Sequence, residues 1–285
     1  MEAEVGLKKL VRRFPLITYF GVAYGLSLAA LVVIGPPDLS GKSPVPSSSF
    51  VMFPVLVVGV GLTGVGFTAL QPSAGLRDLW RRVASWRLGA WALALLIPPV
   101  GITVVLTAFR LVASPAFAQH IDPRFAAIGI GIGVVAGTFE ELGWTGFAYP
   151  RMSSRFGPLP GALLLGLLWG IWHFPVADSL GAASPHGAYF PAFFASFVAA
   201  MVAMRVLIAW IYTNTGSVLA AELMHACSTA SLVVFSAPHV TAAQEAAWYG
   251  GYALLLWVIV GAVVLRFGPM LVRGGVVPRP AAEIA

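Results

Sequence analysis

The stretch Gly129-Ile-Gly-Ile-Gly-Val-Val-Ala-Gly-Thr-Phe-Glu140-Glu141-Leu-Gly143-Trp144-Thr145-Gly146-Phe147 decides the fold. With its flanks it is an apolar run of about 25 residues, beyond the ~20 that cross a bilayer as a helix. Gly129, Gly133 and Gly137 recur at i, i+4 and i+8, the small-xxx-small spacing that lets two helices approach closely. This segment is therefore a central helix with a tight neighbour. Glu140 and Glu141 then stand inside an apolar helix. A charge at mid-bilayer costs roughly 2.5–3.5 kcal/mol on insertion scales, so such a residue faces protein or a wet cavity and usually works there. The two lie about 100° apart around the helix, so one is expected to face a cavity and the other a neighbouring helix.

Outward from this stretch the whole chain has the same character. Of 285 residues, 59% are hydrophobic and 10% charged, with mean hydropathy +0.88. Soluble domains carry about 25% charged residues, too many for this chain to imitate. Eight apolar stretches of near-spanning length are expected, at 15–34, 50–70, 86–111, 125–149, 160–176, 189–212, 218–236 and 248–267. No alternating barrel pattern appears, which leaves helices as the spanning form. The expected fold is all-α, a polytopic membrane bundle of eight transmembrane helices. One membrane domain occupies residues 1–273, with its core at about 125–234 and a disordered tail at 274–285.

Basic residues fix the orientation. Lys8, Lys9, Arg12 and Arg13 precede the first span. Arg77, Arg81, Arg82 and Arg87 fill the second loop, Arg151 and Arg155 the fourth, and Arg266 and Arg273 follow the last span. The positive-inside rule puts both termini in the cytoplasm of a cell membrane, as an even count requires. The net charge of +6 is an orientation signal and a fit to anionic lipid, with no nucleic-acid partner implied. The first span is longer than a signal-peptide core and is read as a retained helix.

Two further spans carry histidine. Trp169 and His173 lie at i, i+4, with Gly166 and Gly170 opening close contact to a neighbour and Pro175 ending the helix. Glu222, His225 and Thr229 share a helix face at i, i+3 and i+7. Each has a bland alternative: a buried Glu–Arg pair, a transporter proton site, or a hydrogen-bonded interior histidine. Di-metal bundles use Glu-x-x-His twice and this chain has it once. His120, His186 and His239 fall in loops and are assigned no chemistry. HExxH is absent, a single cysteine (Cys227) removes a thiolate zinc site, no Gly-x-Ser-x-Gly lies in a span, and no aspartate does. What remains is hydrolysis without a protein nucleophile, in which a glutamate takes a proton from water while imidazoles or hydroxyls meet the developing oxyanion.

In their order and on separate helices these residues resemble the CAAX-protease and bacteriocin-processing family of intramembrane proteases, whose eukaryotic branch is the type II CAAX prenyl endopeptidase. Glu140-Glu141-Leu-Gly-Trp144-Thr145 corresponds to its Glu-Glu-x-x-x-Arg, Trp169-Gly-Ile-Trp-His173 to Phe-x-x-x-His, and His225-Ala-Cys-Ser-Thr229 to His-x-x-x-Asn. The resemblance covers about residues 125–234. It implies that Glu140 is the general base, that His173 assists it or the water, that His225 and Thr229 hold the oxyanion, and that Glu141 orients or supports. Glu140, His173 and His225 are also a zinc-type donor set with one open position, so a zinc cofactor stands beside a metal-free site. The implied partner is a membrane-embedded or lipid-anchored peptide or protein in the bilayer, here of a bacterial cytoplasmic membrane. Thr145 replaces the family's arginine, Trp169 a phenylalanine and Thr229 an asparagine. Arg205, within the sixth span, either replaces the missing arginine or snorkels to the interface. Two other readings share the residues: a non-catalytic self-immunity or partner-binding protein of the same fold, and a proton-coupled transporter, although the halves show no repeat.

Overall fold

The computed structural model describes residues 2–71 and 75–272, so the tail expected at 274–285 lies outside it. Among the described residues every regular element is helical. In order these are α1 (Glu2–Arg13), α2 (Pro15–Ile34), α3 (Ser48–Ala69), α4 (Gly75–Val83), a 3-10 stretch (Gly89–Leu96) running into α5 (Ile97–Val112), and α6 (Pro123–Gly143). Beyond α6 come a π-helical turn (Trp144–Ala148), α7 (Tyr149–Phe156), α8 (Pro158–Trp172), the short α9 (Phe174–Ala177), α10 (Phe190–Thr215), α11 (Val218–Val234) and α12 (Ala242–Phe267).

Among the described residues six segments are long and apolar enough to cross a membrane: Pro15–Ile34, Ser48–Ala69, Gly89–Val112, Pro123–Phe156, Gly187–Thr215 and Ala242–Phe267. Their outer faces carry exposed Ile17, Val32, Phe50, Leu111 and Leu265, an apolar belt suited to lipid. The chain is a multi-pass membrane protein. The other two expected spans are shorter helices, α8 with 15 residues and α11 with 17. At 1.5 Å per residue these reach about 22 and 26 Å against a hydrocarbon core of ~30 Å. Physical causes are local. Gly157, at φ 90°, and Pro158 set the start of α8, while Pro175 has no amide to give the Ile171 carbonyl and helps break the helix after Trp172. Ser217, whose side chain accepts from the Ala220 amide, starts α11. The third expected span differs too, because it becomes α-helical only from Ile97, where Pro98 sits in the first turn.

α6 is the centre. Asp122 caps it by accepting from the Arg124 amide. The expected glycine stripe meets α11: a Cβ on Gly133 would stand 2.5 Å from the Ala226 carbonyl oxygen, and one on Gly137 2.5 Å from that of Glu222. On its other flank α6 packs against α3 through Gly61, Gly64 and Gly143. α8 lies on α10 with Gly166 and Gly170 against Val202 and Val198. Glycine-lined seams thus pair α6 with α11 and α8 with α10, and α10 also packs on α11.

The π-helical turn has its own logic. Pro150 has no amide to give the Gly146 carbonyl four residues back, and its ring would crowd that carbonyl in a regular helix. The wider turn relieves the crowding, and Arg82 Nη2 donates to the freed Gly146 oxygen at 3.1 Å. Beside it, Leu79 of α4 is fully buried against Gly146, and Ser217 Oγ donates to the Ser85 carbonyl at 2.5 Å. α4 therefore closes one end of the bundle.

Candidate active site

The two adjacent glutamates have different partners. Glu140, on α6, is 1% exposed. Its Oε2 accepts from two indoles, Trp169 Nε1 at 2.6 Å and Trp144 Nε1 at 3.1 Å. These bonds pin one oxygen and, among the described residues, leave Oε1 with no hydrogen bond. Glu141 is enclosed. Arg205 approaches it as a fork, Nη2 to Oε1 at 2.6 Å and Nη1 to Oε2 at 2.8 Å. His225 Nδ1 stands 2.7 Å from Oε1, and the Thr145 hydroxyl donates to Oε2.

Arg205 is fully buried, which rules out snorkelling and realises the ion pair expected of a replacement arginine. Its Nη1 also reaches Thr145 Oγ1 at 3.3 Å. Its guanidinium carbon lies 4.5 Å from the centre of the Trp169 ring, a cation–π contact. The position that would carry the family's arginine thus holds a threonine that touches the guanidinium arriving from α10.

His173 ends α8. Its Nδ1 lies 2.9 Å from the Trp169 carbonyl oxygen. A carbonyl only accepts, so Nδ1 carries the hydrogen and Nε2 the lone pair. For His225 too a hydrogen sits on Nδ1, which faces a carboxylate. The Trp169 ring stands between the two imidazoles, with ring centres 5.7 Å from His173 and 5.0 Å from His225. Glu140, Glu141, His173 and His225 therefore gather around one tryptophan. Thr229, one turn beyond His225, is half-buried and among the described residues makes no hydrogen bond into this network.

The arrangement does not fit a bound zinc ion. Among the described residues no three His, Cys, Asp or Glu side chains converge as ligands. Glu140 Oε2 is shared by two indoles and both oxygens of Glu141 are held by a cation.

Residue-type reasoning missed the indoles. Where the resembled pattern has phenylalanine, Trp169 supplies an N–H that holds Glu140. The spacing of Trp144 to Glu140, i and i+4, was the signal available. His186, assigned no chemistry, is buried away from this cluster. It bridges Asp178 Oδ1 at 3.0 Å and Glu245 Oε2 at 3.2 Å. Glu245 also accepts from the Ala182 and Ala183 amides at 2.8 and 2.7 Å, so this clasp ties the loop before α10 to α12. Burial pulls the His186 pKa down, but the bonds to Asp178 and Glu245 outweigh it and hold the value above that of a free histidine.

Comparison with known proteins gives two findings. A family model described as type II CAAX prenyl endopeptidase Rce1-like matches residues 122–231. A 43-residue stretch is 44% identical to CAAX prenyl protease 2 of Methanococcus maripaludis, covering 15% of this chain and 16% of that relative. The matched residues 122–231 run from the cap of α6 through α11 and contain both glutamates, both histidines and Arg205. Through that segment the chain is similar to the Rce1-like type II CAAX prenyl endopeptidases.

Proposed function

We propose that this protein is an intramembrane endopeptidase in which Glu140 activates water against a peptide bond of a membrane-embedded or lipid-anchored substrate. The observation that carries the reading is the split between the carboxylates. Glu141 is fully committed to Arg205, His225 and Thr145, whereas Glu140 is oriented by two indoles with one oxygen left over. Only the second can take a proton without breaking an ion pair.

The steps follow from the atoms. Water bound between Glu140 Oε1 and the lone pair on His173 Nε2 gives its proton to the carboxylate and attacks the carbonyl carbon. His225, its Nδ1 hydrogen held by Glu141, meets the oxyanion from its far nitrogen in the imidazolium form. The neighbouring carboxylate supports that charge as the aspartate does in a serine-protease triad. Thr229 adds a hydroxyl donor once substrate fills the site. No step passes through a metal.

This reading includes the topology. α8 and α11 traverse with the six longer segments to make eight crossings of one domain, and both termini are cytoplasmic, on the side of Arg82, Arg151 and Arg266. The test is cleavage of a panel of membrane-anchored peptides by the purified protein in liposomes, with products identified by mass. Glu140→Gln should lower turnover about 10²–10⁴-fold, the usual weight of a general base, and chelators should leave the wild type unchanged. A wild type inert across the panel, or a Glu140→Gln variant as fast as wild type, would overturn the proposal. A partner retained without cleavage would favour the self-immunity reading.

A further inference from the structure

Four glutamates are buried among the described residues, and three have donors to satisfy them. Glu140 has two indoles, Glu141 a guanidinium, an imidazole and a hydroxyl, and Glu245 two amides and His186. Glu222 is the exception. It is 6% exposed, and its Oε1 is sealed from solvent with no partner among the described residues. Such an atom forgoes about 1–3 kcal/mol relative to a paired one, and an unpaired buried group calls for an explanation. Arg205, the buried cation of this helix cluster, has both terminal nitrogens on Glu141. Glu222 sits on α11 three residues before His225, which puts their β-carbons about 5–6 Å apart on adjoining faces. Its backbone is locked against Gly137 of α6, whose missing side chain leaves no slack there.

From this we propose that Glu222 is the proton donor to the leaving amine, which rests on the endopeptidase reading above. The mechanism needs such a group. Glu140 holds the proton taken from water on one side of the scissile bond, and an amine departing as an anion would be prohibitively basic. As the tetrahedral intermediate collapses, the C–N bond breaks, its electron pair stays on nitrogen, and the Glu222 carboxyl hydrogen passes to that nitrogen. The acid product passes its own proton to the released amine, so the two leave as carboxylate and ammonium. The proton left on Glu140 returns to Glu222 through water, so one water is consumed and no net proton stays on the protein. The absence of any cation or N–H facing Glu222 Oε1 suits a group that must arrive carrying its proton and hand it over.

The leaving group tests this directly. Wild type and Glu222→Gln, each as the full chain in liposomes, are compared on a lipid-anchored peptide with an ordinary amide bond and on the matching 4-nitrophenyl ester. The nitrophenolate leaves without protonation. Glu222→Gln should lose about 10²-fold or more in kcat on the amide and far less on the ester, with Glu222→Asp intermediate on the amide. Equal losses on both substrates would mean a structural role and overturn the inference, as would an undiminished amide rate. Retained ester turnover also reports that the variant is folded. A wild type inert toward both probes removes the endopeptidase reading itself, and this inference with it.

Discussion

Arg205 and Thr145 share one task across two helices. The guanidinium needs a route to Glu141 from α10, and a long side chain at position 145 would fill the space where Thr145 now touches both partners. Arg205→Ala should therefore strand an uncompensated buried carboxylate and cost about 3–5 kcal/mol, measured by chemical unfolding in micelles. Arg205→Lys should recover only part, since an ammonium cannot supply the two parallel bonds. The double change Arg205→Ala with Thr145→Arg should recover more than the lysine does. A silent Arg205→Ala would show that the pair does no structural work. Arg205 was legible in the sequence because a charge in an apolar span demands a partner, but which carboxylate it meets depends on how α6 and α10 face each other. The indole grip on Glu140 was less legible, since a tryptophan in an apolar helix reads first as packing.

Among the elements, the seam between α6 and α11 decides whether the site assembles, since it sets the distance from Glu141 to His225. Gly137→Ala should force the seam apart, because the new carbon would stand 2.5 Å from the Glu222 oxygen and 2.9 Å from the Ala226 nitrogen. A loss of about 1–3 kcal/mol is expected, with activity falling further as His225 retreats. Gly131→Ala is the control, for nothing lies within 4 Å of its new carbon, and equal damage from both would argue against the seam. The glycine stripe and the break at Pro175 were both readable, because each follows from spacing or from one residue's covalent geometry. The π-helical turn was not. It needs Pro150 together with Arg82, which arrives from a different helix some sixty positions earlier, and sequence spacing carries no information on that meeting.

Across the whole molecule the arginine and lysine distribution predicts both ends on one side. Reporter fusions at the carboxyl terminus and at the loop around Asp122 should report opposite compartments. A same-side result would mean that one of α8 and α11 re-enters instead of crossing. Composition and charge made the membrane class plain, but two of the eight expected spans came out short, since hydropathy marks where a segment is apolar and not where a proline or a cap stops it. That shortness has a mechanical corollary. α8 turns Leu164, Leu167 and Ile171 outward and ends at His173 after only 15 residues, some 8 Å less than the ~30 Å of acyl chain around it. Lipid beside it must dimple, or the helix must sink, at an elastic cost of fractions of a kcal/mol per ångström. Either way the headgroup layer dips toward His173, and under the proposed endopeptidase reading the bilayer itself becomes the funnel that shortens water's path to a bond buried in oil.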